Sequence, residues 1–200
     1  AKHRSARRGG EGVNRGPLIF LGLFFALASS FWGLIVVPQF NIGQQAQVKI
    51  EATGTLYPQN RPGRAAQGAQ LYRSLGCVEC HTQQVRPRGQ GADFDRGWGQ
   101  RRSVAQDYLY DYPALLGSQR IGPDLANIGA RQPDPDRQLR HLYDPQRVTP
   151  GSMMPPHRFL FERRKLLPGQ ARSPEALKLD DDPDHEVVPT EDAKRLVAYL

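Results

Sequence analysis

The chain has 200 residues, including 20 glycines and 17 prolines, and 38% of it is hydrophobic. This composition predicts much loop and a small core, and it argues against a chain made mainly of packed apolar interior. The net charge is +7, of which five basic residues and one acidic residue among the first sixteen supply +4. The excess charge therefore lies mostly in an N-terminal tail, which argues against a nucleic-acid-binding face.

An apolar segment follows this tail. Residues 18–37 contain no charged side chain, and twenty helical residues rise about 30 Å, the thickness of the hydrocarbon layer. We predict a basic cytoplasmic tail over 1–16 and a membrane helix over 17–38 that ends at Pro38-Gln39-Phe40-Asn41. A cleaved signal peptide is the alternative, but the segment is long for one and no small-x-small cleavage site follows it. The positive-inside rule then exports the rest of the chain, to the periplasm of a bacterium with an inner membrane.

Residues 39–64 are polar with scattered glycine and proline, and we interpret them as a tether. A helix is predicted over 65–75, where Gly68, Leu71, Tyr72 and Leu75 recur at helical spacing. The region 65–200 is expected to form one domain with long loops at 85–120 and 157–189.

Both cysteines of the chain lie in one short motif, Cys77-Val78-Glu79-Cys80-His81. C-x-x-C-H is the attachment pattern of c-type haem, in which the two thiols bind the porphyrin vinyl groups and the histidine is the proximal iron ligand. A disulfide, a thioredoxin-like site and a zinc site are the alternatives. The last two lack, respectively, a βαβ context and two further ligands at matching spacing. The sequence therefore predicts one covalent haem, whose apolar faces complete a small core.

The loop after His81 is long for a compact domain. It carries many aromatic residues, which favours an ordered, docked loop over a disordered one; they are Phe94, Trp98, Tyr108, Tyr110 and Tyr112. Gly122-Pro123 follows, and we expect the Pro123 carbonyl to accept the Nδ1 proton of His81.

The two methionines of the chain are adjacent, in Ser152-Met153-Met154-Pro155. Thioether sulfur is the usual sixth ligand opposite histidine in electron-transfer cytochromes c. We assign Met154 as that ligand, with Met153 as the alternate. Three further histidines could ligate in principle, namely His141, His157 and His185.

Towards the C-terminus, a helix is predicted over 136–143, ended by Asp144-Pro145. Residues 161–189 look charged and irregular, and their acidic run at 180–184 is either a solvated surface or a site for a basic donor cytochrome c. Thr190 starts a final helix whose Leu196, Val197, Tyr199 and Leu200 are expected to pack on the helix at 65–75.

Beyond the bare haem motif, several longer strings closely resemble the mono-haem cytochrome c subunit of cbb3-type cytochrome c oxidases. They are Cys80-His81-Thr82-Gln83-Gln84-Val85-Arg86-Pro87, Tyr110-Asp111-Tyr112-Pro113, Gly117-Ser118, Gly122-Pro123-Asp124-Leu125, His141-Leu142-Tyr143-Asp144-Pro145 and Ser152-Met153-Met154-Pro155. The resemblance covers most of the chain, although residues 89–100 and 158–172 fit the pattern poorly. It implies a mainly α fold, with one transmembrane helix followed by a loop-rich class I cytochrome c domain.

The resemblance also implies partners. It places the chain beside the large haem–copper catalytic subunit, with a second, di-haem cytochrome subunit and a soluble donor cytochrome c upstream. The loop bearing Arg86 and Arg88 would contact the catalytic subunit, and Ser118 matches the position of a structural calcium at that interface. The chain itself would transfer electrons without active-site chemistry of its own.

Two other functions stay open from sequence. One is an anchored cytochrome subunit of a related nitric oxide reductase, because the terminal acceptor is chosen in another chain. The other is a membrane-tethered shuttle outside any stable complex, which the small-residue helix face at Gly22, Ala26 and Ser30 argues against.

Overall fold

The computed structural model describes residues 14–179 and 182–200. Most of the predicted basic tail, and Asp180 and Asp181 of the acidic run, lie outside the described residues. The chain divides into two compact units, with the boundary between Ala46 and Gln47.

The first unit contains a continuous helical segment, Gly16–Ile42, that is long and apolar enough to span a membrane. It consists of α1 (Gly16–Phe31), a π-helical turn (Trp32–Val36) and α2 (Val37–Ile42). The helix ends at Ile42, one residue beyond the predicted end at Pro38-Gln39-Phe40-Asn41 and four beyond the predicted bound at residue 38. Pro38 lies in the first turn of α2, directly after the π-helical turn.

The second unit begins with a small antiparallel pair, β1 (Val48–Lys49) and β2 (Leu56–Tyr57). The Tyr57 hydroxyl donates to Asp107 at 2.9 Å, so this hairpin is fastened to the long loop. The region interpreted as a polar tether is therefore partly folded. Strands of two residues are too short to show a period of two in the sequence.

Two helices form the centre of this unit, α3 (Gly63–Ser74) and α8 (Glu191–Tyr199). Their contact confirms the predicted packing, with Tyr72 and Leu196 almost completely buried. Gly68 permits the close approach, because a Cβ there would overlap the backbone carbonyl of Arg195. Thr190 caps α8 as predicted, its hydroxyl accepting from Ala193 N at 3.4 Å.

Further short helices complete the core: α4 (Cys77–Cys80), α5 (Ile128–Arg131), α6 (Pro135–Tyr143) and α7 (Pro145–Val148). Single 3₁₀ turns lie at Ala105–Tyr108 and Arg158–Leu160. Helix α6 ends at Tyr143, as the Asp144-Pro145 signal predicts, and buries Leu139 and Leu142.

The prediction of an irregular segment over 161–189 is wrong in part. Strands β3 (Phe161–Lys165) and β4 (His185–Pro189) form an antiparallel ladder of five residue pairs, from Phe161 opposite Pro189 to Lys165 opposite His185. Most of β3 is charged and exposed, and nineteen residues separate the strands, so no hairpin signal connects them in the sequence. Apart from these pairs, the described residues confirm a mainly α, loop-rich domain after one apolar helix.

Candidate functional site

The cysteine motif folds as a single helical turn. Gly76 starts α4 with a left-handed backbone (φ +73°), a conformation that glycine adopts without strain. Cys77 and Cys80 lie at the two ends of this turn as free, half-buried thiols. Burial raises the pKa of Cys77 to about 11, so in the haem-free chain this thiol stays protonated at neutral pH.

His81 follows α4 directly and is held on one side of its ring. Its Nδ1 lies 2.8 Å from the carbonyl oxygen of Pro123. With Nδ1 donating to that carbonyl, Nε2 is the free ring nitrogen, and the part of the chain that the structure describes offers it no hydrogen-bond partner. The ring rests on Gly122, where a Cβ would overlap it. The imidazole is therefore oriented with one nitrogen available as a ligand.

A group of buried charged side chains lies next to this histidine, and the sequence analysis missed it. Asp124 is completely buried and accepts from the Thr82 hydroxyl at 2.5 Å. Arg120 donates to Thr82 at 2.7 Å and makes two bonds to Asp93, at 2.7 and 2.9 Å. The Arg120 guanidinium, with help from Arg86, holds the pKa of Asp93 well below its usual range. Charged residues spread along a long loop are typical of ordinary surface, and only the burial of Asp93 and Asp124 distinguishes this group.

The structure separates the two candidate methionines. Met154 is partly buried and packs against the hydrophobic core, whereas the side chain of Met153 is 80% exposed. The Met154 amide donates to the Ser152 hydroxyl at 3.2 Å. Met154 is therefore the methionine whose position suits a buried ligand.

The other histidines differ in their surroundings. His141 on α6 and His157 are half-buried, and burial lowers the pKa of each, with the nearby His81 contributing in both cases. His185 lies on β4 with its Nδ1 3.0 Å from Asp182. That hairpin contact gives His185 a local partner.

Together these groups fit a haem. Two thiols stand one helical turn apart, followed by an oriented imidazole with a free Nε2. Partly buried apolar side chains pack against the core beside them, including Leu75, Val78, Leu115, Leu125 and Met154. A porphyrin needs an apolar wall and axial donors, and imidazole nitrogen and thioether sulfur are the donors that these side chains offer.

The long loop after His81 is ordered but not uniformly docked. Trp98 is buried, as expected for a docked aromatic, whereas Tyr112 is fully exposed and Tyr110 is 42% exposed. Arg86 bonds to Asp93 at 3.1 Å, and the Arg88 guanidinium lies 4.4 Å from the centre of the Phe94 ring. The two arginines assigned to a partner contact thus also organise their own loop.

Ser118 is exposed, and a calcium ion there would need several further oxygen ligands. Within residues 14–179 and 182–200, no group of three or more acidic, histidine or cysteine side chains is placed to hold a metal.

The apolar N-terminal helix, the mainly helical domain and the haem-compatible site define the class of an anchored class I cytochrome c. A family model described as "Cytochrome C oxidase, mono-heme subunit/FixO" matches residues 13–183. The match covers most of the chain, so the chain belongs to this family and is a mono-haem subunit of a cytochrome c oxidase. A search among curated proteins found no match.

Proposed function

We propose that this chain transfers electrons through one covalently attached c-type haem to the catalytic subunit of a membrane-bound haem–copper oxidase that reduces oxygen to water. The observation that carries the proposal is the Cys77–Cys80 turn followed by His81, whose Nδ1 is held by the Pro123 carbonyl. Cys77 and Cys80 form the thioethers, His81 is the proximal ligand and Met154 is the distal ligand.

The bound haem supplies reversible one-electron chemistry. The residues around the haem position it and its ligands, and they do not take part in a reaction. The Pro123 carbonyl fixes the His81 tautomer, and the apolar side chains limit access of water to the site. Oxygen reduction takes place in the catalytic subunit, where the acceptor is chosen.

The membrane arrangement follows from the helix and the tail. The basic N-terminal tail lies in the cytoplasm of a bacterium, Gly16–Ile42 crosses the inner membrane, and the haem domain is periplasmic. A second, di-haem cytochrome subunit and a soluble donor cytochrome c supply the electrons. The long loop with Arg86 and Arg88 contacts the catalytic subunit. A groove of about 1160 Å³ beside this loop is lined in part by Arg88, Phe94 and Trp98.

The calcium assignment is proposed as a shared site. Ser118 offers one hydroxyl and its carbonyl at an exposed position. Calcium prefers six to eight oxygen ligands, so the remaining ligands would come from the catalytic subunit. Chelator treatment of the intact complex, followed by metal analysis and native electrophoresis, tests whether calcium holds this interface.

The central test is purification of the native complex through this chain, followed by haem spectra and oxygen uptake with reduced cytochrome c. Haem b and copper in the preparation, with cyanide-sensitive oxygen uptake, support the proposal. Nitric oxide turnover without oxygen uptake would assign the chain to the related reductase instead. A lone c-type spectrum without partners would leave a tethered shuttle.

A cysteine series tests the haem site directly. Cys80→Ala should lose one thioether, which shifts the pyridine haemochrome band, and the Cys77→Ala/Cys80→Ala pair should lose covalent haem altogether. Ser74→Ala, close by on α3 and exposed, is the matched control and should keep haem-stained protein at the wild-type level. Retention of covalent haem in the double variant would contradict the proposed attachment.

A further inference from the structure

We propose that Thr82, Arg120, Asp124 and Asp93, which we call the proximal clamp, position His81 and set the strength of its bond to the Pro123 carbonyl. The inference rests on the proposed function, because it concerns the ligand of the haem. The four residues touch the backbone around His81 rather than the iron, so they are positioning residues.

The clamp lies directly beside the contact between His81 and Pro123. Thr82 directly follows His81 and Asp124 directly follows Pro123, so the 2.5 Å bond between Thr82 and Asp124 stands next to the 2.8 Å contact between His81 and Pro123. Backbone bonds flank both, with Gly122 N donating to Cys80 O at 2.9 Å and Leu125 N donating to Thr82 O at 2.7 Å. The segment that carries His81 is therefore fixed to the segment that carries Pro123 on both sides of the imidazole.

Asp124 is the centre of this attachment. Its carboxylate also accepts from the amides of Gln84 at 2.9 Å and Ala126 at 2.7 Å, and no part of it is exposed. A buried carboxylate is stable only when its oxygens are fully hydrogen-bonded, so each of its donors is held in place in turn. Moving Thr82 would remove a hydrogen bond from the buried Asp124 carboxylate, so Thr82 is held in place.

Arg120 joins the clamp to the long loop. It donates to Thr82, to the Gln84 carbonyl at 2.7 Å and to Asp93, which is itself 1% exposed. Arg86 bonds Asp93 from the other side. Asp93 is thus paired with two guanidinium groups, and Arg120 also bonds to Asp124 at 3.1 Å, so each of these charges depends on the others.

The hydrogen bond from Nδ1 to a carbonyl makes the imidazole a stronger donor to iron and favours the ferric state. A clamp that keeps this bond short therefore keeps the haem reduction potential low. Loosening the clamp should raise the potential and widen the range of imidazole orientations.

Thr82→Val tests this in the holoprotein, because valine keeps the shape of threonine and removes the hydroxyl. We expect covalent haem to be retained, the reduction potential to rise in a redox titration, and the ferric electron paramagnetic resonance signal to broaden. Thr82→Ser, which keeps the hydroxyl, should return both readouts close to wild type.

Arg120→Lys, which keeps the positive charge and loses the forked contacts, should raise the potential in the same direction, whereas Arg140→Lys, at an exposed 3.8 Å pair with Asp134 on α6, should leave it unchanged. If Thr82→Val does not accumulate, Arg120→Lys reports on the same contacts while keeping the charge. Unchanged potential and unchanged signal in the haem-loaded clamp variants would overturn the inference. Absence of covalent haem in the wild-type chain would instead overturn the proposed function.

Discussion

The two sides of the proposed haem site are held by different kinds of contact. On the proximal side, residues 80–84 and 116–125 are joined by backbone bonds and by buried charges around Asp124. On the distal side, Met154 lies in a loop with local bonds, from Ser152 N to Thr149 O at 3.0 Å and from Met154 N to the Ser152 hydroxyl at 3.2 Å, and one bond to α6, from His157 N to Leu142 O at 2.8 Å. Local turns open at lower cost than a ladder locked by buried ion pairs. We therefore expect the proximal ligand to stay bound under conditions that release the distal one.

The largest effect should come from Met154→Leu, which removes the distal sulfur while preserving the size of the side chain. The ferric haem should lose its thioether charge-transfer band and its potential should fall, because sulfur favours the ferrous state. Met153→Leu is the control and should change neither readout, since Met153 is exposed. The opposite pattern in optical spectra and redox titration would move the ligand to Met153.

Asp93→Asn should lower the free energy of unfolding by about 3 kcal/mol, because it leaves Arg120 and Arg86 facing a neutral amide in a buried site. The pairing lowers the pKa of Asp93, so its contribution is fully present above the ordinary value of 3.8 and is lost as the pH falls through the lower folded value.

Urea unfolding of the holoprotein at a series of pH values measures both effects. The acid dependence below about pH 4 should be flatter in Asp93→Asn than in wild type. Asp182→Asn, at an exposed pair with Arg163, is the control and should differ little from wild type at moderate salt. If Asp93→Asn and wild type had equal free energies of unfolding, the buried charges would not make the proximal side more stable than the distal side.

Gly122→Ala should destabilise the folded state by about 1–3 kcal/mol, because the new methyl group overlaps the His81 ring and the ladder around it yields little. The His81 contact with Pro123 should also weaken, which is visible as a raised potential. Gly63→Ala in the first turn of α3, where a Cβ meets nothing within 4 Å, is the matched control. Equal midpoint temperatures of thermal unfolding for Gly122→Ala and Gly63→Ala would contradict the tight packing around His81.

The smallest effect is expected for Ser152→Ala, which removes the bond to the Met154 amide. One such hydrogen bond contributes about 1 kcal/mol, so exogenous imidazole should displace Met154 from ferric haem with an affinity about fivefold higher. Ser74→Ala, whose hydroxyl donates to Leu71 O at an exposed position, should bind imidazole like wild type. An unchanged imidazole affinity would mean that the distal loop is held by packing rather than by this bond.

Much of the fold could be predicted from local signals. The apolar run specified the membrane helix, and apolar spacing with the Thr190 cap specified α3 and α8 and their contact. By contrast, β3 and β4 depended on pairing between strands that are far apart in sequence. Pairing of distant segments leaves no local period, and a charged exposed strand resembles a loop.

For the site, the sequence by itself predicted the chemistry: Cys77, Cys80 and His81 match the spacing of a c-type haem motif, because thioether attachment constrains neighbouring residues. The sequence already favoured Met154 over Met153 as the ligand, and the tertiary structure adds that Met154 is partly buried whereas Met153 is exposed. It also revealed Asp124 and Asp93 as buried partners of Arg120. Burial of a charge depends on which distant segments cover it, and that is a property of the folded chain rather than of the residue.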